Sequence, residues 1–317
     1  MAYIKNYTLG KTYNSHNKTI CFELDNSHMA YNPNTLVWYK EHDRILPLDN
    51  VLMAFESGVI NEMDRTILSI VTAFSGGYLS ANTLKGLLQI SGVDVDDDHL
   101  GSSLDRLFRY QLVAIRSIRT QPAFFVEDAI ISLTPYGSEC AKNVLGINHR
   151  YNVADYLGGN LCQILACVAT TRLVYRFLAE GAVEFFSIRP RFYSKNKSAK
   201  EGGVVRPSAM INTGKGKVYL ESPRRSTDAN WKADILGKLY RYALVIDGGA
   251  PTVVLNCEDM DASRELSTFL SNHPCEGVHV IYTDDCKQCA GWQNAFYTFK
   301  DGTVQATNLL SGGFENT

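Results

Sequence analysis

The hydrophobic pattern changes period several times along this chain, and each change marks an element. In DRTILSIVTAFSG, Ile67, Leu68, Ile70, Val71 and Phe74 fall at helical spacing, and Gly76-Gly77 supplies a stop. Ser80 opens a second helical stretch, SANTLKGLLQISG, as a polar cap, and Gly92 closes it. The acidic run from Asp94 to Asp98 leads into a third, DDHLGSSLDRLFRYQ, with Leu100, Leu104 and Leu107 on one face. The pattern then predicts two strands, LVAIRSIR and AIISLT, joined by a turn around Gln121-Pro122. Pro135 begins a further helix, PYGSECAKNVLG.

This patterned block, residues 61–147, reads as one domain. Residues 1–60, rich in Asn, Tyr and His, read as an extension with short strands in TICFELDNS and TLVWYKEHD, turned at Asn32-Pro33-Asn34. A linker is expected at 148–160, a second domain at 161–305 and a tail at 306–317. The second domain begins with an apolar helix, LCQILACVATTRLVYRFLAEG, and a strand, AVEFFSI. A basic loop, RPRFYSKNKSAKEGG, follows. VRPSAMIN and KVYLES form a strand pair around Gly-Lys-Gly, and DANWKADILGKLYRYALVI a long helix. PTVVLNCE, a helix over DASRELSTFLSN, VHVIYTD and NAFYTFK complete an α/β pattern.

Composition narrows the class. Hydrophobic residues at 45%, charged residues at 20% and a net charge of −2 suit a globular protein and exclude a uniformly basic one. The first residues, MAYIKNYTLGKTYNSH, predict no signal peptide, and no run reaches the ~18 apolar residues of a membrane span. Eight scattered cysteines favour a reduced, cytoplasmic chain. Cys286-Lys287-Gln288-Cys289 is a single CxxC without a second pair, so it offers only half of a zinc site. Neither a phosphate-loop glycine pattern nor a local Ser/His/Asp signature is present.

Charge is unevenly distributed. Between Arg189 and Arg241 there are 13 Lys/Arg against 4 Asp/Glu. Such an excess suits a polyanion partner, DNA above all. The candidate contacts are Arg189, Arg191, Lys195, Lys197, Arg206, Lys215, Lys217, Arg224 and Arg225, with Lys200 in the same cluster. Tyr193, Tyr219 and Trp231 are interleaved as potential stacking platforms. A solvated basic loop over core aromatics is the plain alternative.

Three helices followed by a hairpin is the order of a winged helix, and ISLTPYGSECAKNVLG resembles that family's exit from the wing. The resemblance implies a reading helix with His99, Ser102, Ser103, Arg106 and Arg109 facing DNA, and Arg116 and Arg119 on the wing. The aspartates before that helix oppose phosphate, and winged helices also serve as protein–protein modules.

The second domain resembles the PD-(D/E)xK nuclease fold. It carries Arg206-Pro207 before one strand, Glu221 at the end of the next, and a helix with Lys238 and Tyr242. A winged helix followed by such a core resembles the replication-relaxation family of plasmids and conjugative transposons. The fold class expected is therefore α+β with two domains, an N-terminal winged helix-turn-helix and an α/β restriction-endonuclease-like core. Two positions depart from the nuclease pattern: Ser208 stands where a metal-binding carboxylate belongs, and Pro223 where the catalytic lysine belongs. Magnesium wants several oxygen ligands, usually carboxylates. The expectation is a DNA-binding replication or transfer factor without cofactor, with possible protein partners. One alternative is an atypical nuclease gathering Glu180, Glu221 and Asp228, or Glu184, around magnesium. Another is a protein–protein adaptor. For Glu221 the plain reading is a strand-end carboxylate paired with Arg206, Arg224 or Arg225.

Overall fold

A computed structural model describes residues 35–39, 46–120, 128–149, 151, 161–194, 203–225, 230–284, 288, 294–307 and 309. The chain is α+β and divides into two compact units, one up to Ile164 and one from Leu165.

In the first unit, β1 (Thr35–Tyr39) precedes α1 (Leu48–Glu56), a helix absent from the sequence reading. Next come α2 (Glu62–Ala73), β2 (Leu79–Ser80), α3 (Ala81–Ile90) and α4 (Asp97–Arg109). The hairpin strands β3 (Val113–Thr120) and β4 (Asp128–Leu133) and then α5 (Pro135–Asn143) complete it. Polar caps start α2, α3, α4 and α5. Asn61 accepts from the Asp64 amide, Ser80 from Thr83, Asp96 from His99 and Thr134 from Gly137. Burial follows the helical period: Ile67, Leu68 and Val71 of α2, Leu84 and Leu88 of α3, and Leu100, Leu104 and Leu107 of α4 are all within the core. The sheet order is β1-β3-β4-β2, so the two-residue β2 reaches past the helices to pair with β4. The turn expected at Gln121-Pro122 lies outside the described residues. Gly137 is required in α5, because a Cβ there would sit 1.9 Å from the Leu112 carbonyl oxygen.

The second unit opens with α6 (Leu161–Ala179), whose first turn contains the boundary between the units. Its elements are β5 (Phe185–Ile188), β6 (Phe192–Tyr193), β7 (Val204–Val205), β8 (Ala209–Asn212), β9 (Lys217–Glu221) and α7 (Trp231–Val245). They continue with β10 (Thr252–Cys257), α8 (Met260–Asn272), β11 (His279–Asp284), β12 (Tyr297–Lys300) and β13 (Thr303–Ala306). Seven strands form one sheet in the order β13-β12-β11-β10-β9-β8-β5, with β9, β10 and β11 parallel. β6 and β7 form a separate two-stranded ribbon.

Alternation along the strands sorts the two faces. Tyr219, Val253, Leu255, Cys257 and Tyr282 pack with Leu239, Tyr242 and Val245 of α7 and Leu266 of α8. On the other face Asn256 reaches the Ala169 carbonyl of α6, and Ser222 accepts from Thr170. α6 has the length and hydropathy of a bilayer span, yet Leu165, Val168, Leu173, Val174 and Phe177 are buried inside the fold. The final strand β13 was not anticipated. Its turn is Asp301-Gly302, both residues at positive φ, the Asp-Gly chemistry of a tight hairpin.

Candidate functional site

Glu221 is the last residue of the parallel strand β9, and alternation turns it to the α7 side. It is 3% exposed. Three side chains converge on its carboxylate. Ser208 Oγ donates to Oε2 at 2.7 Å and Lys238 Nζ to the same oxygen at 2.6 Å, while Tyr242 Oη donates to Oε1 at 2.5 Å. Lys238 and Tyr242 are four residues apart on α7, one helical turn, so one face delivers both. Ser208 is held by the strand pair itself, since its N–H donates to Leu220 O and its carbonyl accepts from the Arg189 N–H. Burial pushes the Tyr242 phenol well above its ordinary value, and the Glu221 charge adds to this. Tyr242 therefore stays a hydrogen-bond donor near neutral pH.

This arrangement corrects the expected partners of Glu221. Its cation is Lys238, whereas Arg224 donates to Pro223 O and Asn256 O and Arg225 pairs with Glu258 and Asp259. An ammonium does reach the carboxylate despite Pro223, but from the helix. Ser208, Lys238 and Tyr242 thus occupy both oxygens of the carboxylate. Among the described residues, no group of three or more His, Cys, Asp or Glu side chains is placed to hold a metal ion.

Of the other carboxylates considered for a metal, Glu184 stands apart from Glu221. Glu184 accepts from Asn212 at the far end of β8, and Asn212 pairs with Lys217. The run from Glu221 back to Lys217 is four residue steps, about 13 Å of strand. Glu180 is exposed just beyond α6, four residues before Glu184, and Asp228 lies outside the described residues.

The basic cluster is split between two ends of this sheet. Lys215 and Lys217 are exposed at the β8–β9 turn, at the opposite end of β9 from Glu221. Arg224, expected on a binding face, is buried, and its Nη1 secures two backbone carbonyls. Arg225 is half-buried between Glu258 and Asp259. Burial alone would lower its pKa, but those two carboxylates raise it. Arg189, Arg191 and Arg206 belong to the Ser208 end, around the β6–β7 ribbon, where Arg191 and Tyr193 are exposed. Lys195, Lys197 and Lys200 lie outside the described residues. Tyr219 is buried against Phe192 and Tyr242, so it is not a stacking platform for a base. Trp231 packs against the core with Lys232 over its ring.

In the first unit, several expected DNA contacts are structural. Ser103 is buried and accepts from Arg106. Arg106 grips the fully buried Asp64 with Nε at 2.8 Å and Nη2 at 3.1 Å. Arg116 is buried, bonded to Ser132 and stacked over Tyr78. Arg109 pairs with Asp105, and His99, although 80% exposed, turns its ring to Asp96. The His99 backbone N–H, and then its side chain, lower the Asp96 pKa. Ser102 remains exposed on α4, and Arg119 has a described backbone in β3 but no described side chain. Asp94, Asp96, Asp97 and Asp98 are all exposed at the start of α4. The sequence signal for the Asp64–Arg106 pair was the capping box Asn61-x-x-Asp64. It identifies the cap but not the distant arginine.

In comparisons with known proteins, no family model matches the chain, no curated protein matches it, and no solved structure matches it significantly.

Proposed function

We propose that this chain is a DNA-binding accessory or regulatory factor of replication or transfer in a mobile element, with a nuclease-like second unit that does not cleave. The observation that carries the reading is the Glu221 carboxylate, held by Lys238, Ser208 and Tyr242 rather than left open to a metal. Arg189, Arg191 and Arg206 gather at the same end of the sheet, so the region is cationic although the chain is net acidic. The order of α2, β2, α3, α4, β3 and β4, with β2 paired to β4, supports a winged helix-turn-helix for the first unit. The mobile-element assignment rests on resemblance alone.

The test is fluorescence anisotropy of the full chain on labelled duplex and single-stranded DNA across a salt series, beside plasmid incubation with Mg²⁺ or Mn²⁺. The expected result is affinity that falls with salt, weakens in Arg189→Glu and Arg191→Glu, and is accompanied by no cleavage. Absent or salt-insensitive binding to both DNA forms overturns the reading. Cleavage abolished by Glu221→Ala would instead establish the magnesium nuclease.

A second reading has its own observation. The exposed aspartates at the start of α4, and the internal pairing of Arg106 and Arg109, make that helix a poor phosphate reader. They favour a first unit that contacts protein, the adaptor role. Copurification with one defined protein through the first unit, with DNA affinity confined to the second, is the outcome that supports it.

A further inference from the structure

α7 turns one face to the sheet and leaves the other uncovered. Leu239, Tyr242 and Val245 are buried, while Ala233, Gly237, Tyr240 and Leu244 form an exposed stripe. Their spacings of four, three and four residues are those of a helix–helix seam. Tyr240 and Leu244 are 45% and 53% exposed, unusual for large apolar groups on one helix face. At Gly237 an added Cβ would meet nothing within 4 Å, so the chain itself leaves that point open. Asp234 and Arg241 are both exposed and seven residues apart, on one flank of the stripe.

We infer that α7 is a self-association surface, on which a second copy of this chain packs its own α7 antiparallel about a two-fold axis near Gly237. The charge pattern selects this occupant. Asp234 and Arg241 lie equally far on either side of the point between Gly237 and Lys238. In an antiparallel pair centred there, Asp234 meets the partner's Arg241, and symmetry repeats the contact. Antiparallel helices bring like flanks together, so the shared flank of the two charges is the geometry this pairing needs. A parallel pair would offset them by seven residues and leave both unpaired across the seam. Gly237 beside the axis lets the helices approach closely, and Tyr240, Ala233 and Leu244 extend apolar contact outward. A helix of 15 residues is about 22 Å long, so this seam alone falls short of the ~1,000 Å² of a stable interface. The dimer is therefore weak and reversible, with a dissociation constant on the order of micromolar or higher.

Sedimentation velocity of the full chain, from low to several hundred micromolar, tests this. The expected result is a dimer fraction that rises with concentration. Asp234→Arg and Arg241→Asp each raise the dissociation constant at least about tenfold, by setting like charges together at both symmetric contacts. The double exchange restores affinity to within about threefold, which a merely structural role for either residue would not produce. Gly237→Arg, in a helix position with open space, removes the dimer while leaving the thermal unfolding temperature no lower. A chain monomeric throughout that range overturns the inference. So does a dimer indifferent to both single reversals and to Gly237→Arg. DNA binding does not enter these measurements, so their outcome is independent of the proposed function.

Discussion

Replacing Lys238 by methionine removes the ammonium from Glu221 and keeps most of the side-chain stem. The carboxylate is then left buried with only Ser208 and Tyr242 as donors. Breaking a buried pair by removing one partner costs about 3–5 kcal/mol when both groups are dry. Here Glu221's side chain is 4% exposed but Lys238's is 24%, so water replaces part of the lost interaction. The structure thus predicts a loss of about 2–3 kcal/mol, less than the dry limit and more than the ~1 kcal/mol ceiling of a surface pair. Glu221→Gln, which keeps an acceptor for Tyr242 and removes the charge, should cost less. The double variant should recover roughly 1–2 kcal/mol relative to additivity. Urea unfolding of the four proteins measures this through midpoints at constant slope. A Lys238→Met variant within about 0.5 kcal/mol of the parent, or a cycle with no coupling, would refute the account of Glu221 as a carboxylate satisfied from the helix.

Three further outcomes follow from the geometry. Arg106→Ala should destabilise the first unit by about 2–3 kcal/mol, because it strands the fully buried Asp64; a change below about 0.5 kcal/mol in thermal unfolding would contradict the pairing. Gly137→Ala should cost about 3 kcal/mol or prevent folding, since the new methyl meets the Leu112 carbonyl; unchanged stability would mean that α5 does not approach this carbonyl so closely. Tyr219, Tyr242, Tyr282 and Tyr297 all have phenols raised by burial from an ordinary value of 10.0. Their contribution is fully present below pH 10 and declines above it, because the unfolded chain ionises first. In the folded protein these four phenols should remain un-ionised as the pH passes 10 and titrate together on alkaline unfolding, read by phenolate absorbance; their ionisation near pH 10 without unfolding would sink this assignment.

Periodicity determined most of the elements by itself. α3 begins at Ser80 and α4 within the acidic run, the polar residues that mark them in the sequence, because a cap is a local interaction between a side chain and the next turn. The strand pair around Gly214-Lys215-Gly216 and the parallel strands β10 and β11 were equally legible, since alternating or continuous apolar runs are local too. Tertiary structure decided the rest. The serine at 208, the glutamate at 221 and the lysine at 238 meet only because β8 pairs with β9 and α7 returns across their ends. A count of charges along the chain could not separate Lys215 and Lys217 from Arg189 and Arg206, which the sheet places at opposite ends of β9. Nor could it distinguish an arginine that faces solvent from Arg106, Arg116 or Arg224, whose partners lie 42, 16 and 32 residues away. Composition records how many cations a segment has. The fold determines which of them are held by buried acceptors, and so which are left to meet a partner.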